Sequence, residues 1–138
     1  MKQYINDDFL LTTDAAKELY HGYAENEKII DYHCHLPVKE IAEYKRWSDI
    51  AELWLGGDHY KWRLMRSNGF SEELCTGKAP AADKFAAFAA TLDKAAGNPM
   101  LDWSQLELAS IGLPAPTPRK SAKNATSALR RKTFRPGR

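Results

Sequence analysis

The sequence has few cysteines and no long apolar run, and each absence excludes a class of protein. Two cysteines, Cys34 and Cys75, are too few for the disulfide framework of a small secreted domain. No stretch approaches the ~20 apolar residues of a membrane-spanning helix. The first residues also lack the basic start and apolar run of a secretory signal. We therefore expect a soluble, cytoplasmic protein with no membrane partner.

Acidic residues are absent from the last 29 of the 138 residues. Residues 1–109 contain 12 Lys and Arg against all 18 Asp and Glu, a net charge of −6. Residues 110–138 contain 8 basic residues and no acid, a net charge of +8, with four prolines and a single aromatic residue, Phe134. Such a composition is typical of disordered chain. We expect two regions, an acidic body over 1–109 and a basic, proline-rich tail over 110–138 that is disordered or translated in a shifted reading frame.

Two histidines follow a short apolar stretch. Residues 28–31 favour a short buried β-strand, and the histidines stand at its carboxyl end. Because side chains alternate in an extended chain, His33 and His35 would point to the same side and Cys34 to the other, where we expect it to be buried. Two neutral imidazoles are half of a divalent metal site. Such a pair also arises by chance, and no further ligand is evident from the spacing.

The rest of residues 1–109 favours helices, so the expected fold class is mostly α with one short strand. Caps and starts are expected at Thr12 or Thr13, Pro37, Ser48, Asp58, Pro80 and Asn98. Glycines at 56–57 and 69 would end two of these helices. Apolar spacing predicts a core stripe with Phe85, Phe88, Ala89 and Leu92, and an inner face with Val38, Ile41 and Ala42.

A second candidate site lies in residues 56–63, which read Gly-Gly-Asp-His-Tyr-Lys-Trp-Arg. The predicted helix would carry His59 and Tyr60 in its first turn, and both side chains can exchange protons with a ligand. By periodicity alone, Tyr60 and Trp62 are packing residues and His59 is a surface group. The two glycines either end the preceding helix or allow a ligand close to the backbone.

Several stretches together carry a resemblance to a known family. They are residues 7–11 (DDFLL), 29–36 (IIDYHCHL), 53–63 (LWLGGDHYKWR), 97–99 (GNP) and 103–108 (WSQLEL). Through them, residues 5–108, about three quarters of the chain, resemble the N-terminal part of uronate isomerase (glucuronate isomerase). That family is an outlying member of the amidohydrolase superfamily.

The resemblance implies the N-terminal portion of a metal-dependent (β/α)8 TIM barrel. It implies that His33 and His35 bind a divalent metal, commonly zinc, and that His59 and Tyr60 are catalytic and bind the substrate. The implied reaction is the aldose–ketose isomerisation of D-glucuronate to D-fructuronate, and of D-galacturonate to D-tagaturonate, in hexuronate catabolism. The partner would be a small hexuronate, and oligomers are compatible with the family.

The sequence also departs from that family. A complete barrel of this kind needs ~200–250 residues, so we expect the missing ligands and carboxylate-binding groups to lie beyond this chain. We therefore expect the chain by itself to be inactive. Two alternatives have no catalytic role. One is a small helical metal-binding protein, and the other is a nucleic-acid-binding protein that uses the basic tail. Since the tail lacks interleaved aromatic residues, nucleic acid is not the expected partner.

Overall fold

The computed structural model describes residues 5–110, which contain seven α-helices and no β-strand. The helices are α1 (Asp14–Leu19, continued by a π-helical turn, Tyr20–Ala24), α2 (Val38–Ala42), α3 (Ile50–Leu55), α4 (His59–Ser67), α5 (Glu72–Cys75), α6 (Ala81–Leu92) and α7 (Pro99–Ser110). None of these helices is long and apolar enough to cross a membrane.

The chain divides into two compact units, Met1–Cys34 and His35–Arg138. The sequence does not predict a division at this position. The predicted basic tail lies almost wholly outside the described residues, since only its first residue, Ser110, falls within α7. The boundary near residue 109 and the origin of the tail therefore stay predictions.

Most helix starts follow the predicted local chemistry. The Thr13 hydroxyl accepts a hydrogen bond from a backbone N–H in the first turn of α1, and the Asp58 carboxylate caps α4. The predicted cap at Ser48 is wrong by one residue, because Asp49 caps α3 by accepting from the Glu52 backbone N–H at 2.9 Å. Ser48 instead donates its own N–H and hydroxyl to the Glu52 carboxylate, which completes a reciprocal cap.

The strand predicted at residues 28–31 is wrong. These residues have no regular secondary structure, and Ile29 and Ile30 are 91% and 87% exposed. Cys34, which we expected to be buried behind the strand, is exposed as well. The physical reason is that a strand needs a neighbour to pair its N–H and C=O groups, and the structure describes no second strand within residues 5–110.

Helix α2 is less buried than its apolar pattern predicts. It begins after Pro37 as expected, but Val38, Ile41 and Ala42 are all exposed. Apolar spacing shows which residues share one face of a helix. Whether that face is covered depends on the surface that the rest of the fold provides. The expected inner face of α2 is therefore wrong for this structure.

The hydrophobic core lies in the second unit, where α3, α4 and α5 each pack against α6. The predicted stripe of α6 is confirmed, because Phe85, Phe88, Ala89 and Leu92 are all buried. The indole of Trp54 from α3 meets the ring of Phe88 edge-on, with centroids 5.8 Å apart. The short helix α5 is not predicted by the sequence, and it brings Cys75 into this core.

The first unit contains a polar cluster around His21. The two ring nitrogens of His21 contact the carboxylates of Asp8 at 3.1 Å and Glu25 at 3.3 Å. Lys17 Nζ lies 2.9 Å from the second oxygen of Asp8. Both imidazole nitrogens can donate only when the ring is protonated. The hydrogen bond to Asp8, then that to Glu25, therefore raises the pKa of His21 above its ordinary value of 6.5.

An NMR titration of the His21 ring should give a pKa above 6.5. Because protonation is favoured in the fold, the stabilisation by His21 is complete below the unfolded-state pKa and is lost as the pH rises through the folded-state pKa. Asp8→Asn should lower the pKa of His21, since it removes the largest cause of the shift. Asp14→Asn is the control, as Asp14 does not contribute to that shift. An unchanged pKa in Asp8→Asn would contradict the assigned cause.

Candidate active site at the start of α4

The junction between α3 and α4 is tightly built. A Cβ atom at Gly56 would collide with the carbonyl oxygen of Glu52, so the end of α3 requires glycine at this position. The indole N–H of Trp62 donates to the carbonyl oxygen of Leu55 at 2.8 Å, which ties α4 back to the last residue of α3. Gly56 therefore has a structural role as the end of a helix, one of the two interpretations left open by the sequence.

The carboxylate of Asp58 organises the first turn of α4. Its Oδ1 accepts from the backbone N–H of Tyr60 at 2.9 Å and from that of Lys61 at 3.3 Å. Its Oδ2 accepts from Lys61 Nζ at 2.8 Å. His35 Nδ1 lies 3.2 Å from Oδ1. One carboxylate thus holds the helix start, a lysine and a histidine that lies 23 positions earlier in the sequence.

Three of the four predicted site residues meet at this helix start. The ring of His35 stacks on the ring of Tyr60, with centroids 5.0 Å apart, and on that of His59 at 5.5 Å. The His59 and Tyr60 rings are 4.5 Å apart, and both residues are exposed. The guanidinium carbon of Arg63 lies 5.4 Å from the centroid of the Tyr60 ring. Imidazole, phenol and guanidinium groups together can transfer protons and attract an anionic ligand.

Beneath this cluster lies a nearly buried ion pair. The side chains of Asp58 and Lys61 are 11% and 10% exposed. Burial acts to raise the pKa of Asp58, but the hydrogen bond and charge of Lys61, with two backbone N–H groups, outweigh it and lower that pKa. Desolvation raises the pKa of Glu107 in α7. The negative charge of Asp58 adds to this rise, whereas the positive charge of Lys61 and a hydrogen bond to Trp54 oppose it. Lys61 Nζ also lies 5.6 Å from the centroid of the Trp54 ring.

The fourth predicted residue, His33, belongs to the first unit. It is exposed, and its backbone N–H donates to the side chain of Asp31 at 3.1 Å. Imidazoles suit a divalent ion such as zinc. Over residues 5–110, however, no group of three or more His, Cys, Asp or Glu side chains could hold a metal ion. The described part of the chain therefore does not complete a metal site, and the role of His33 and His35 stays a prediction.

The sequence did not predict that Asp58 and Lys61 belong to the site. Asp58 was expected only to cap α4, and Lys61 had no expected role. The spacing of an acid at the cap and a lysine three residues later is a usable signal, since residues i and i+3 are neighbours on a helix. The contact of Asp58 with His35 and the charge interaction of Lys61 with Glu107 have no comparable signal, because they join distant parts of the chain.

Comparison with known proteins gives a consistent result. The family model described as glucuronate isomerase matches residues 1–136. The uronate isomerase of Opitutus terrae is 54% identical over 109 residues, which are 79% of this chain and 23% of the relative. That of Endomicrobium trichonymphae is 55% identical over 108 residues, which are 78% of this chain and 23% of the relative. This chain therefore spans less than a quarter of the length of these relatives.

A solved structure supports the same assignment. The crystal structure of uronate isomerase from Thermotoga maritima is similar with a TM-score of 0.82 and 33% sequence identity, over 96% of this chain and 30% of that chain. The helices described above thus match part of a uronate isomerase structure. The family is metal-dependent. The resemblance seen in the sequence is confirmed, and this chain belongs to the glucuronate isomerase family.

Proposed function

We propose that this chain is the N-terminal part of a uronate isomerase that interconverts D-glucuronate and D-fructuronate, and D-galacturonate and D-tagaturonate. The family match supports the reaction class. The proposal assigns particular residues because the rings of His35, His59 and Tyr60 stack together at the start of α4. In the whole enzyme this segment would form part of a (β/α)8 barrel.

The chemistry is a proton transfer between adjacent carbons. A base removes the proton from C2 of the open-chain sugar, an enediolate forms, and a proton is returned to C1. The phenol of Tyr60 is suited to carry a proton or to hydrogen-bond the developing oxyanion. His59, one residue away and also exposed, is suited to donate to a sugar hydroxyl or to the carboxylate. The guanidinium of Arg63 adds positive charge beside Tyr60, which favours an anionic sugar.

His33 and His35 would supply two imidazole ligands to a divalent metal, with zinc as our proposal. When bound, such an ion would polarise the sugar oxygens and lower the cost of the developing negative charge. The remaining ligands would come from outside residues 5–110, since no complete set exists within them. Cys34 and Cys75 are both thiols, as is usual in the reducing cytoplasm, and we propose a cytoplasmic location.

A chimeric enzyme tests the function directly. Residues 1–109 of this chain should replace the aligned segment of the Opitutus terrae relative, over which the two proteins are 54% identical. We expect the chimera to isomerise D-glucuronate at a rate within about tenfold of the parent enzyme, because matched transition-state contacts preserve most of the rate. The measurement is the appearance of D-fructuronate by NMR. The 138-residue chain alone should produce none above background.

Two controls decide between outcomes. The parent enzyme without its own N-terminal segment should be inactive, which shows that the segment is needed. A chimera that folds, by circular dichroism and size, yet has no activity on either uronate would contradict the proposed function. Turnover by the purified 138-residue chain would contradict the proposal that it needs groups from elsewhere.

A further inference from the structure

The carboxylate of Asp58 makes four polar contacts. Oδ1 accepts two backbone N–H groups at the start of α4 and lies 3.2 Å from His35 Nδ1, while Oδ2 accepts from Lys61 Nζ. Capping α4 requires only the backbone contacts. Among residues 5–110, Asp49 caps α3 by accepting from one backbone N–H, its other oxygen accepts from the Ser48 hydroxyl at 3.4 Å, and it forms no ion pair with a lysine. The additional contacts of Asp58 therefore call for a reason beyond helix capping.

The distance between His35 Nδ1 and Asp58 Oδ1 points to one tautomer of His35. An ionised carboxylate can only accept hydrogen bonds, so a nitrogen at 3.2 Å from Oδ1 must carry the proton for the contact to be favourable. In neutral imidazole, a proton on Nδ1 makes Nε2 the nitrogen with the available lone pair. Metal-binding histidines commonly donate their other ring N–H to a carboxylate, which fixes the ring and makes the ligand more basic.

We propose that Asp58 is a positioning residue that holds His35 in the Nδ1–H tautomer, so that Nε2 is the atom presented to a metal ion. Lys61 holds the second oxygen of Asp58, which leaves Oδ1 directed at His35 and at the helix start. The same carboxylate fixes the turn that carries His59 and Tyr60. Asp58 thus fixes the positions of the proposed metal ligand, His35, and of the two proposed proton-transfer residues, His59 and Tyr60, relative to one another. The metal part of this inference rests on the proposed role of His35, whereas the tautomer does not.

The first test measures the tautomer in the metal-free 138-residue chain. The ¹⁵N chemical shifts of the His35 ring, recorded above the pH at which the ring is protonated, distinguish a protonated Nδ1 from a protonated Nε2. We expect the Nδ1–H form to predominate in the unaltered chain. In Asp58→Ser the ring should move towards the Nε2–H form that free imidazole side chains favour. A predominant Nε2–H tautomer in the unaltered chain would overturn the proposal without any variant.

Asp58→Ser is chosen because serine caps a helix about as well as aspartate but is one atom shorter and carries no charge. Asp49→Ser is the matched control, since it makes the same replacement at the cap of α3. The control should leave the His35 shifts unchanged. If both variants shift the His35 resonances equally, the effect comes from a loosened helix start and the positioning role is wrong.

The second test measures the zinc affinity of the chimeric isomerase, which would supply the ligands that residues 5–110 lack, by competition with a chromogenic chelator. Asp58→Ser should weaken zinc binding by about 10- to 100-fold, the usual cost of losing the partner of a ligand histidine. Asp49→Ser should stay within twofold of the unaltered chimera. His35→Ala separates the two proposals. If it leaves zinc affinity unchanged, the proposed metal role of His35 fails while the tautomer result still decides the role of Asp58. If it weakens binding but Asp58→Ser does not, only the inference about Asp58 is overturned.

Discussion

Replacing Tyr60 with phenylalanine should lower kcat/KM of the chimeric isomerase by about 10²- to 10⁴-fold, the range that one positioned proton-transfer group contributes. The substitution removes only the hydroxyl group. The ring remains to stack on His35 and to lie beneath Arg63, so the structure of the cluster should be kept. The measurement is steady-state isomerisation of D-glucuronate. The loss should lie mainly in kcat, because the hydroxyl acts in the transition state more than in binding.

Tyr23→Phe is the matched control for this prediction. Tyr23 is also exposed, lies in the first unit at the end of the π-helical turn, and loses the same hydroxyl group. It should leave kcat and KM unchanged. A Tyr60→Phe chimera with kcat/KM within twofold of the unaltered chimera would show that Tyr60 is a packing residue, the alternative that periodicity alone favoured.

Replacing Phe88 with alanine should lower the free energy of unfolding of the second unit by about 3–5 kcal/mol. Phe88 is fully buried in α6, and its ring meets Trp54 edge-on. The substitution removes the burial of an aromatic ring and leaves a cavity among the helices that pack on α6. Since domains of this size have only about 5–15 kcal/mol of stability, the variant should unfold well below the denaturant concentration that unfolds the unaltered chain.

Urea unfolding followed by tryptophan fluorescence measures this loss, because Trp54 reports on the core beside Phe88. Trp103→Ala is the control, as it removes a large aromatic side chain that is 58% exposed on α7. It should cost about 1 kcal/mol or less, as is usual for substitutions outside the core. Equal losses in the two variants would contradict the assignment of Phe88 to the core.

Features that depend on residues close in the chain could be predicted from the sequence. The caps at Thr13 and Asp58 each join groups within three positions, so local chemistry suffices to place them. The buried stripe containing Phe85 and Phe88 follows from helical spacing, which is also a local property. The family followed from the motif at residues 53–63, whose length makes a chance resemblance rare.

Features that depend on distant residues could not be predicted in this way. The strand at residues 28–31 failed because β-structure requires a neighbour that residues 5–110 do not supply. The approach of His35 to Asp58 also joins separated positions, and no local pattern encodes it.

The sequence by itself determined the family, most of the helix starts and the residue types of the predicted site, since motifs, caps and apolar spacing are properties of short segments. Only the tertiary structure decided that the Asp58 carboxylate contacts both Lys61 and the His35 ring. Only the packing of α7 brings Glu107 close enough for the charge of Lys61 to oppose the rise of the Glu107 pKa. The reason is that hydrogen bonds and charges act through space over a few ångströms, and the packing of the helices sets those distances.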